Sequence, residues 1–292
     1  MTEETSLYPD RVTEFVLTLS CPDRPGIVAA VAGLLAGRGG NIVESQQYGD
    51  QDTSRFFMRV QFTVPDQSGD DLRAGLTELA PELDLEWSLW DTAVPPRVLI
   101  LVSRSGHCLN DLLHRQRSGQ LGIEIAAVAS NHPDLRPLTQ TYGIDYHHLP
   151  VTAETRAWQE GEILTLVEHY RIDFVVLARY MQVLSDDWCA KLAGRVINIH
   201  HSFLPGFKGA RPYHQAHARG VKLIGATAHY VTGDLDEGPI IEQEVARVDH
   251  TQGPADLMAV GRDTECVALA RAVRWHAAHR VLLNGPKTVV FR

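Results

Sequence analysis

The chain has 292 residues, enough for two ordinary domains, with 44% hydrophobic and 22% charged residues, a balance that excludes a disordered or fibrous chain. Acidic residues outnumber basic ones 36 to 27, and the net charge of −9 excludes a broad nucleic-acid surface while leaving room for a local basic pocket. Four cysteines without a CxxC pair exclude a disulfide framework and point to reduced thiols, so neither a metal nor a cofactor is expected.

Residues 1–10 are acidic and polar and do not read as a signal peptide. No run approaches the roughly 18 apolar residues of a membrane span. The expectation is a cytoplasmic chain without a membrane or nucleic-acid partner. Residues 14–21 (EFVLTLSC) read as a strand, and 26–40 (GIVAAVAGLLAGRGG) as an apolar helix closed by glycines. Residues 41–49 and 55–64 alternate as two strands. A second helix spans 66–80, opened by Asp66 and Ser68, and a last strand spans 83–90. The order βαββαβ predicts a ferredoxin-like α/β domain. Between the first strand and helix, Asp23 caps, Pro25 opens the helix and Gly26 permits a tight bend. The run D-R-P-G-I at 23–27, with G-G-N-I at 39–42, resembles the ACT domain, a small-ligand regulatory module, over about residues 13–90. The resemblance implies an effector site at Asp23, Gly26 and Asn41, with glycine or methionine as the sensible amino-acid effectors. It also implies edge-to-edge pairing into a homo-oligomer, a dimer or tetramer.

Pro95 and Pro96 can neither continue a helix nor donate to a sheet ladder, so the domains are placed at 1–94 and 95–292. After the prolines the rhythm changes. Short apolar runs at 97–103, 123–130, 145–151, 173–178 and 195–200 alternate with helical stretches, notably 108–118 and 154–170. Continuous apolar strands separated by helices predict a Rossmann-like, mostly parallel sheet covered on both faces. Residues 226–232 and 240–248 then read as a hairpin, and 255–281 as a long closing helix. In such a sheet ligands bind beyond the carboxyl ends of the strands, near the switch in strand order.

The stretch INIHHSFLPGF (197–207) lies at such an end. Asn198 and His200, two residues apart on a strand, point to one side and both donate into one spot, as a developing oxyanion requires. A proton acceptor would complete the set. Asp234, Asp236 and Glu237, on the hairpin turn, are the acidic candidates, although either aspartate alone equally reads as a turn former.

Taken together, N-I-H (198–200), S-x-L-P (202–205), G-x-T-x-H (225–229) and L-D-x-G-P-I (235–240) resemble the formyltransferase fold family, enzymes that handle 10-formyltetrahydrofolate. The similarity runs from about 97 to 285. It implies a catalytic trio of Asn198, His200 and Asp236, and Asp234 does not align with the catalytic acid. It implies folate binding along LARYMQVLS (177–185) through Leu177, Arg179 and Met181, with His229 and Gly238 beside the substrate. His229 either orients Asp236 or is a hydrogen-bonded strand residue. His201 stands where many transferases of the family have proline, and NIHHSF looks like the deformylase branch. His214 and His217, three apart without a partner pattern, read as a polar helix face rather than as metal ligands.

Three activities compete: hydrolysis of 10-formyltetrahydrofolate, formyl transfer to an amine such as glycinamide ribonucleotide, and non-catalytic sensing. The intact trio argues against a sensor. Ribonucleotide transferases carry a G-x-G-S-N type loop that holds the substrate phosphate at a helix N-terminus. Here SRSGHCLNDLL keeps Gly106 but has His107 and Cys108 in place of the Ser and Asn, so the phosphate cradle is damaged. His107 is left either to position water or to fill the loop. The expected activity is hydrolysis to formate and tetrahydrofolate, which would supply formate for purine synthesis and balance the one-carbon folate pool. Burial should raise the Asp236 pKa and a neighbouring imidazolium should lower it, a contest left open by the sequence.

Overall fold

The computed structural model describes residues 12–65, 69–204 and 212–292. Asp66, Ser68 and residues 205–207 of the INIHHSFLPGF stretch, named above, lie outside them. The chain divides into two compact units, Met1–Val94 with Val289–Arg292, and Pro95–Thr288.

In the first unit β1 (Val12–Pro22), β2 (Asn41–Asp50), β3 (Arg55–Pro65) and β4 (Glu86–Asp91) form one antiparallel sheet in the order β2-β3-β1-β4, joined by α1 (Ile27–Ala36) and α2 (Gly69–Leu83). This is the ferredoxin-like arrangement. β3 and β1 are central, and Leu17, Val60, Phe62 and Phe57 are fully buried. The α1 helix is shorter than the glycine-closed run predicts. It ends at Ala36, because Gly39 takes φ 70° and Gly40 lies so close to Leu35 O that a Cβ would sit 2.8 Å from it. Gly26 takes φ 95° at the N-cap of α1.

The second unit is built on a seven-stranded sheet ordered β11-β10-β9-β8-β5-β6-β7. Its strands are β5 (Arg97–Val102), β6 (Glu124–Ser130), β7 (Asp145–His148), β8 (Phe174–Leu177), β9 (Val196–His200), β10 (Leu223–Tyr230) and β11 (Ile240–Arg247). β5 to β9 are parallel, while β10 and β11 add an antiparallel edge. The VLIL of β5 and the FVV of β8 are at most 1% exposed, as strands covered on both faces require. The covering helices are α3 (His107–Arg117), α4 (Arg136–Gln140), α5 (Arg156–His169), α6 (Asp186–Lys191), α7 (Pro212–Ala218) and α8 (Pro254–Ala277). The closing helix stops at Ala277 rather than running on to 281. His279 turns left-handed (φ 53°), and the chain enters a small hairpin, β12 (Val281–Asn284) and β13 (Lys287–Val290), of which only Val281 falls within the helical reading. Strand order reverses between β5 and β8, so the carboxyl ends of β5, β8 and β9 frame the crevice where ligands bind in such sheets.

Candidate active site

A cleft of about 270 Å³ opens at that crevice. Its polar wall carries Asn198, His200, His229 and Asp236, and its outer wall carries the apolar Met181, Val183 and Leu235. These three side chains are 58%, 57% and 64% exposed, large apolar surfaces left facing one cleft, as a flat apolar ring system would need.

β9 places Asn198 and His200 on one side, two residues apart. β10 runs antiparallel beside it with His229 opposite Asn198. The pairing of β10 with β11 slips at Ala228/His229, a bulge that turns the histidine toward the site. His229 Nδ1 is 2.8 Å from its neighbour's carbonyl, Tyr230 O. A carbonyl only accepts, so Nδ1 carries a proton and donates. His229 Nε2 then lies 3.2 Å from Asn198 Nδ2 and accepts from it. This fixes the Asn198 amide and leaves its second N–H for a ligand. His229 Nε2 is also 3.7 Å from Asp236 Oδ1.

His200 Nδ1 is 3.1 Å from Asp236 Oδ2, while His200 Nε2 is buried and, among the described residues, without a hydrogen-bond partner. Burial pushes the Asp236 carboxyl up, but the hydrogen bond from His200 and the positive charge that His200 and His229 can carry win and hold it well below the usual carboxylate range. The contest left open above is decided for the imidazoles. Asp236 adopts φ 58°, a left-handed conformation costing a non-glycine residue of order 1–3 kcal/mol, held by the turn between β10 and β11. Asp234 is exposed, and among the described residues only its carbonyl is engaged, by Thr232 Oγ1 at 3.1 Å and Glu237 N at 3.3 Å.

The loop after β8 forms another wall, and Leu177, Arg179 and Met181 all line the cleft. It is tied at several points. Met181 N donates to Ser103 Oγ at 3.0 Å, and Ser103 N donates to Arg179 O at 3.3 Å. Gln159 Nε2 donates to Tyr180 OH at 2.6 Å, and Ser185, the N-cap of α6, bonds Glu160 through both N and Oγ. Burial, first among the causes, pushes the Tyr180 phenol up to about 12. Ser103, Gln159 and Glu160 were not anticipated from the sequence. The two α5 residues look like an exposed helix face until α5 is docked. The one signal was Ser185 followed by Asp186 and Asp187, an N-cap serine with acidic residues in the first turn of a short helix.

Two expected residues stand elsewhere. His107 is not part of the cleft lining. Its Nε2 lies 2.7 Å from Glu265 Oε2, and that buried carboxylate also accepts from Tyr213 OH at 2.8 Å and faces Arg179 Nε at 3.4 Å. Burial raises the Glu265 pKa, but His107, Arg179 and Tyr213 together bring it below its ordinary value. Gly238 is also off the wall. It packs beneath the bulge so tightly that a Cβ would fall 1.7 Å from Tyr230 O, so its part is close backbone approach beside His229. His214 and His217 are exposed on α7. Among the described residues, His107, Cys108 and Glu265 bring three ligand-type atoms within 4.8 Å of one another. A metal ion would compete there with the Arg179 guanidinium, already against the same carboxylate, so the donor set does not fit one.

A buried imidazole–carboxylate pair and a fixed amide donor at the mouth of a doubly wound sheet define an enzyme of acyl-group chemistry. The comparisons agree: residues 96–273 match the formyl transferase family, residues 15–80 match the ACT domain, and the chain belongs to the formyl transferase family. Its similarity is to formyltetrahydrofolate deformylases. That of Corynebacterium sp. (strain P-1) is 54% identical over 95% of this chain and 98% of the relative. That of Bacillus subtilis (strain 168) is 47% identical over 94% and 93%. The crystal structure of formyltetrahydrofolate deformylase from Burkholderia mallei matches with TM-score 0.93 and 54% identity over 96% of this chain and all of that one. Glycinamide ribonucleotide transformylase 1 from Symbiobacterium toebii matches with TM-score 0.64 and 30% identity over 68% of this chain and 95% of that one.

Proposed function

We propose that this chain hydrolyses 10-formyltetrahydrofolate to formate and tetrahydrofolate. Relatives named for that activity align over nearly its whole length at up to 54% identity. The observation that carries the chemistry is the His200–Asp236 pair on the cleft wall, with His200 Nε2 buried and unpartnered among the described residues.

The reaction follows from these atoms. Asp236, held ionised, accepts from His200 Nδ1, so the free nitrogen of the ring is Nε2. A water between Nε2 and the formyl carbon gives its proton to Nε2 as its oxygen bonds to carbon, and Asp236 stabilises the imidazolium that results. The formyl oxygen becomes an oxyanion and accepts from the free N–H of Asn198, whose amide His229 has locked before the reaction begins. The imidazolium then returns the proton to N10 as the C–N10 bond breaks, releasing formate and tetrahydrofolate. Leu177, Met181, Val183 and Leu235 would hold the folate ring, with the backbone of 178–183 reading its edge. No metal or cofactor enters. Formate so released would feed purine synthesis.

The test gives the enzyme 10-formyltetrahydrofolate alone and follows formate and tetrahydrofolate, then repeats the assay with glycinamide ribonucleotide. Hydrolysis requires stoichiometric formate in both assays and no formylated ribonucleotide; turnover that appears only with the amine would make it a transferase.

For the first unit we infer an amino-acid effector, glycine or methionine, at the Asp23–Gly26 turn with Asn41 nearby in sequence to the glycines that end α1, and assembly into a dimer or tetramer. The ACT match and the left-handed Gly26 at the start of α1 support this. Calorimetry with glycine and with methionine, each also added to the formate assay, tests it. Absence of heat and of any rate change for both amino acids would refute the effector.

A further inference from the structure

The catalytic trio alone does not explain why water, and not an amine, should accept the formyl group. His201, immediately after β9, lies on the cleft wall, and its ring stacks on that of His200 with centroids 5.0 Å apart and planes at 18°. The Arg179 guanidinium meets His201 Nδ1 through Nη1. Arginine has only donors, so Nδ1 must accept, and the proton of the neutral ring must sit on Nε2.

Arg179 is itself fixed. Its Nε lies 3.4 Å from Glu265 Oε2, and that carboxylate, 1% exposed, is held from two other sides by His107 and Tyr213. Arg179 also carries the left-handed φ of 62° that aims it inward. Burial, then the charges of Arg179 and His200, push the His201 pKa down to about 4, in agreement with a neutral ring. Among the described residues Nε2 of His201 has no hydrogen-bond partner.

We propose that His201 presents a fixed Nε2–H donor to the acceptor position beside His200 and thereby selects water over amines, an inference that rests on the hydrolase reading above. Water has two lone pairs. One can accept from Nε2–H while the other attacks the formyl carbon. An amine has a single lone pair, and a donor placed against it removes the pair that must attack. The Glu265–Arg179 pair positions the donor by dictating the tautomer.

The experiment measures a product ratio, which does not depend on how much of a variant is folded. Enzyme, 10-formyltetrahydrofolate and excess glycinamide are mixed, and formate and N-formylglycinamide are quantified by mass spectrometry. In the amine reaction the C–N10 bond breaks, a carbon–nitrogen bond to glycinamide forms, the amine loses one proton and N10 gains one. The wild type should give formate with N-formylglycinamide at the uncatalysed background. His201→Leu, which has no donor, should raise the ratio of N-formylglycinamide to formate by about fivefold, the scale of one hydrogen bond. His201→Gln should restore the wild-type ratio, since Arg179 can take its carbonyl and leave an N–H for the cleft. An unchanged ratio in His201→Leu overturns the proposal, whereas a wild type that releases no formate overturns the hydrolase reading instead. Should His201→Leu not fold, ¹⁵N NMR of histidine-labelled wild type decides: a proton on Nε2 and none on Nδ1 at neutral pH supports the proposal, and the opposite tautomer sinks it.

Discussion

At the scale of single residues the site separates groups that look alike. Asp234 and Asp236 lie on one turn, yet only Asp236 meets His200 and His229. Asp236→Asn should lower kcat by roughly 10³–10⁴, because the imidazolium loses its counter-charge and the ring its orientation. Asp234→Asn should change kcat little. Steady-state kinetics on the pair checks this, and equal losses would dissolve the assignment. Asn198→Ala removes one preorganised donor and should cost about 10²–10³ in kcat with KM nearly unchanged. A raised KM at constant kcat would mean that Asn198 only binds. Glu265 illustrates the converse lesson. Nothing in its helical sequence marks it, and only the packing of α8 against His107, Arg179 and Tyr213 gives a carboxylate so buried three polar neighbours.

At the scale of elements two local devices position the chemistry. The first is the β10 bulge at Ala228/His229, which depends on the approach of Gly238 to Tyr230 O. Gly238→Ala cannot be accommodated without moving backbone. It should therefore displace His229, free the Asn198 amide and cut kcat by about as much as Asn198→Ala does. The second device is the cap of α6. Ser185 Oγ accepts from Trp188 N at 3.3 Å and also bonds Glu160, so one side chain ends the loop after β8 and anchors it to α5. Ser185→Ala should cost about 1 kcal/mol of stability and raise KM with little change in kcat, since the loosened wall binds and does not react. Chemical denaturation and initial rates measure the two effects separately.

At the scale of the whole molecule, half-buried neutral histidines set the acid limit. His276 is half-buried and packs against Phe174, with ring centroids 4.5 Å apart, and its Nδ1 bonds Tyr230 OH at 2.7 Å. Burial pushes its pKa down to about 4, as it does, together with nearby charge, for His201. The unfolded chain binds protons at these groups from about pH 6.5 downward, and the folded chain does so only near 4. Stability should therefore fall as pH drops from 6.5 to 4, by up to about 1.4 kcal/mol per pH unit for each such histidine. Asp236 acts in the same direction but lower: its contribution is complete above its unfolded pKa, about 4, and is lost as pH falls toward its depressed folded value. Thermal midpoints across this range test the sign. His276→Phe should flatten the slope between pH 6 and 4.5, and an unchanged slope would assign the acid lability elsewhere.

The amino-acid sequence by itself determined the two strand-and-helix rhythms. A period-two alternation before the prolines and continuous apolar runs after them leave few alternative layers. It also marked Asn198, His200 and Asp236, because the N-I-H and L-D-x-G-P runs are contiguous motifs. It did not reveal where α1 and α8 stop, which left-handed residues and tight glycine contacts decide, nor the small hairpin β12–β13, whose short strands are ambiguous in isolation. It placed His107 and Gly238 at the substrate, whereas tertiary packing gives His107 to Glu265 and seats Gly238 under a bulge. It could not decide the charge on Asp236 or the tautomer of His201. Those depend on which donors stand within hydrogen-bond distance, and the donors come from β9, β10 and the loop after β8, segments that only the assembled sheet brings together.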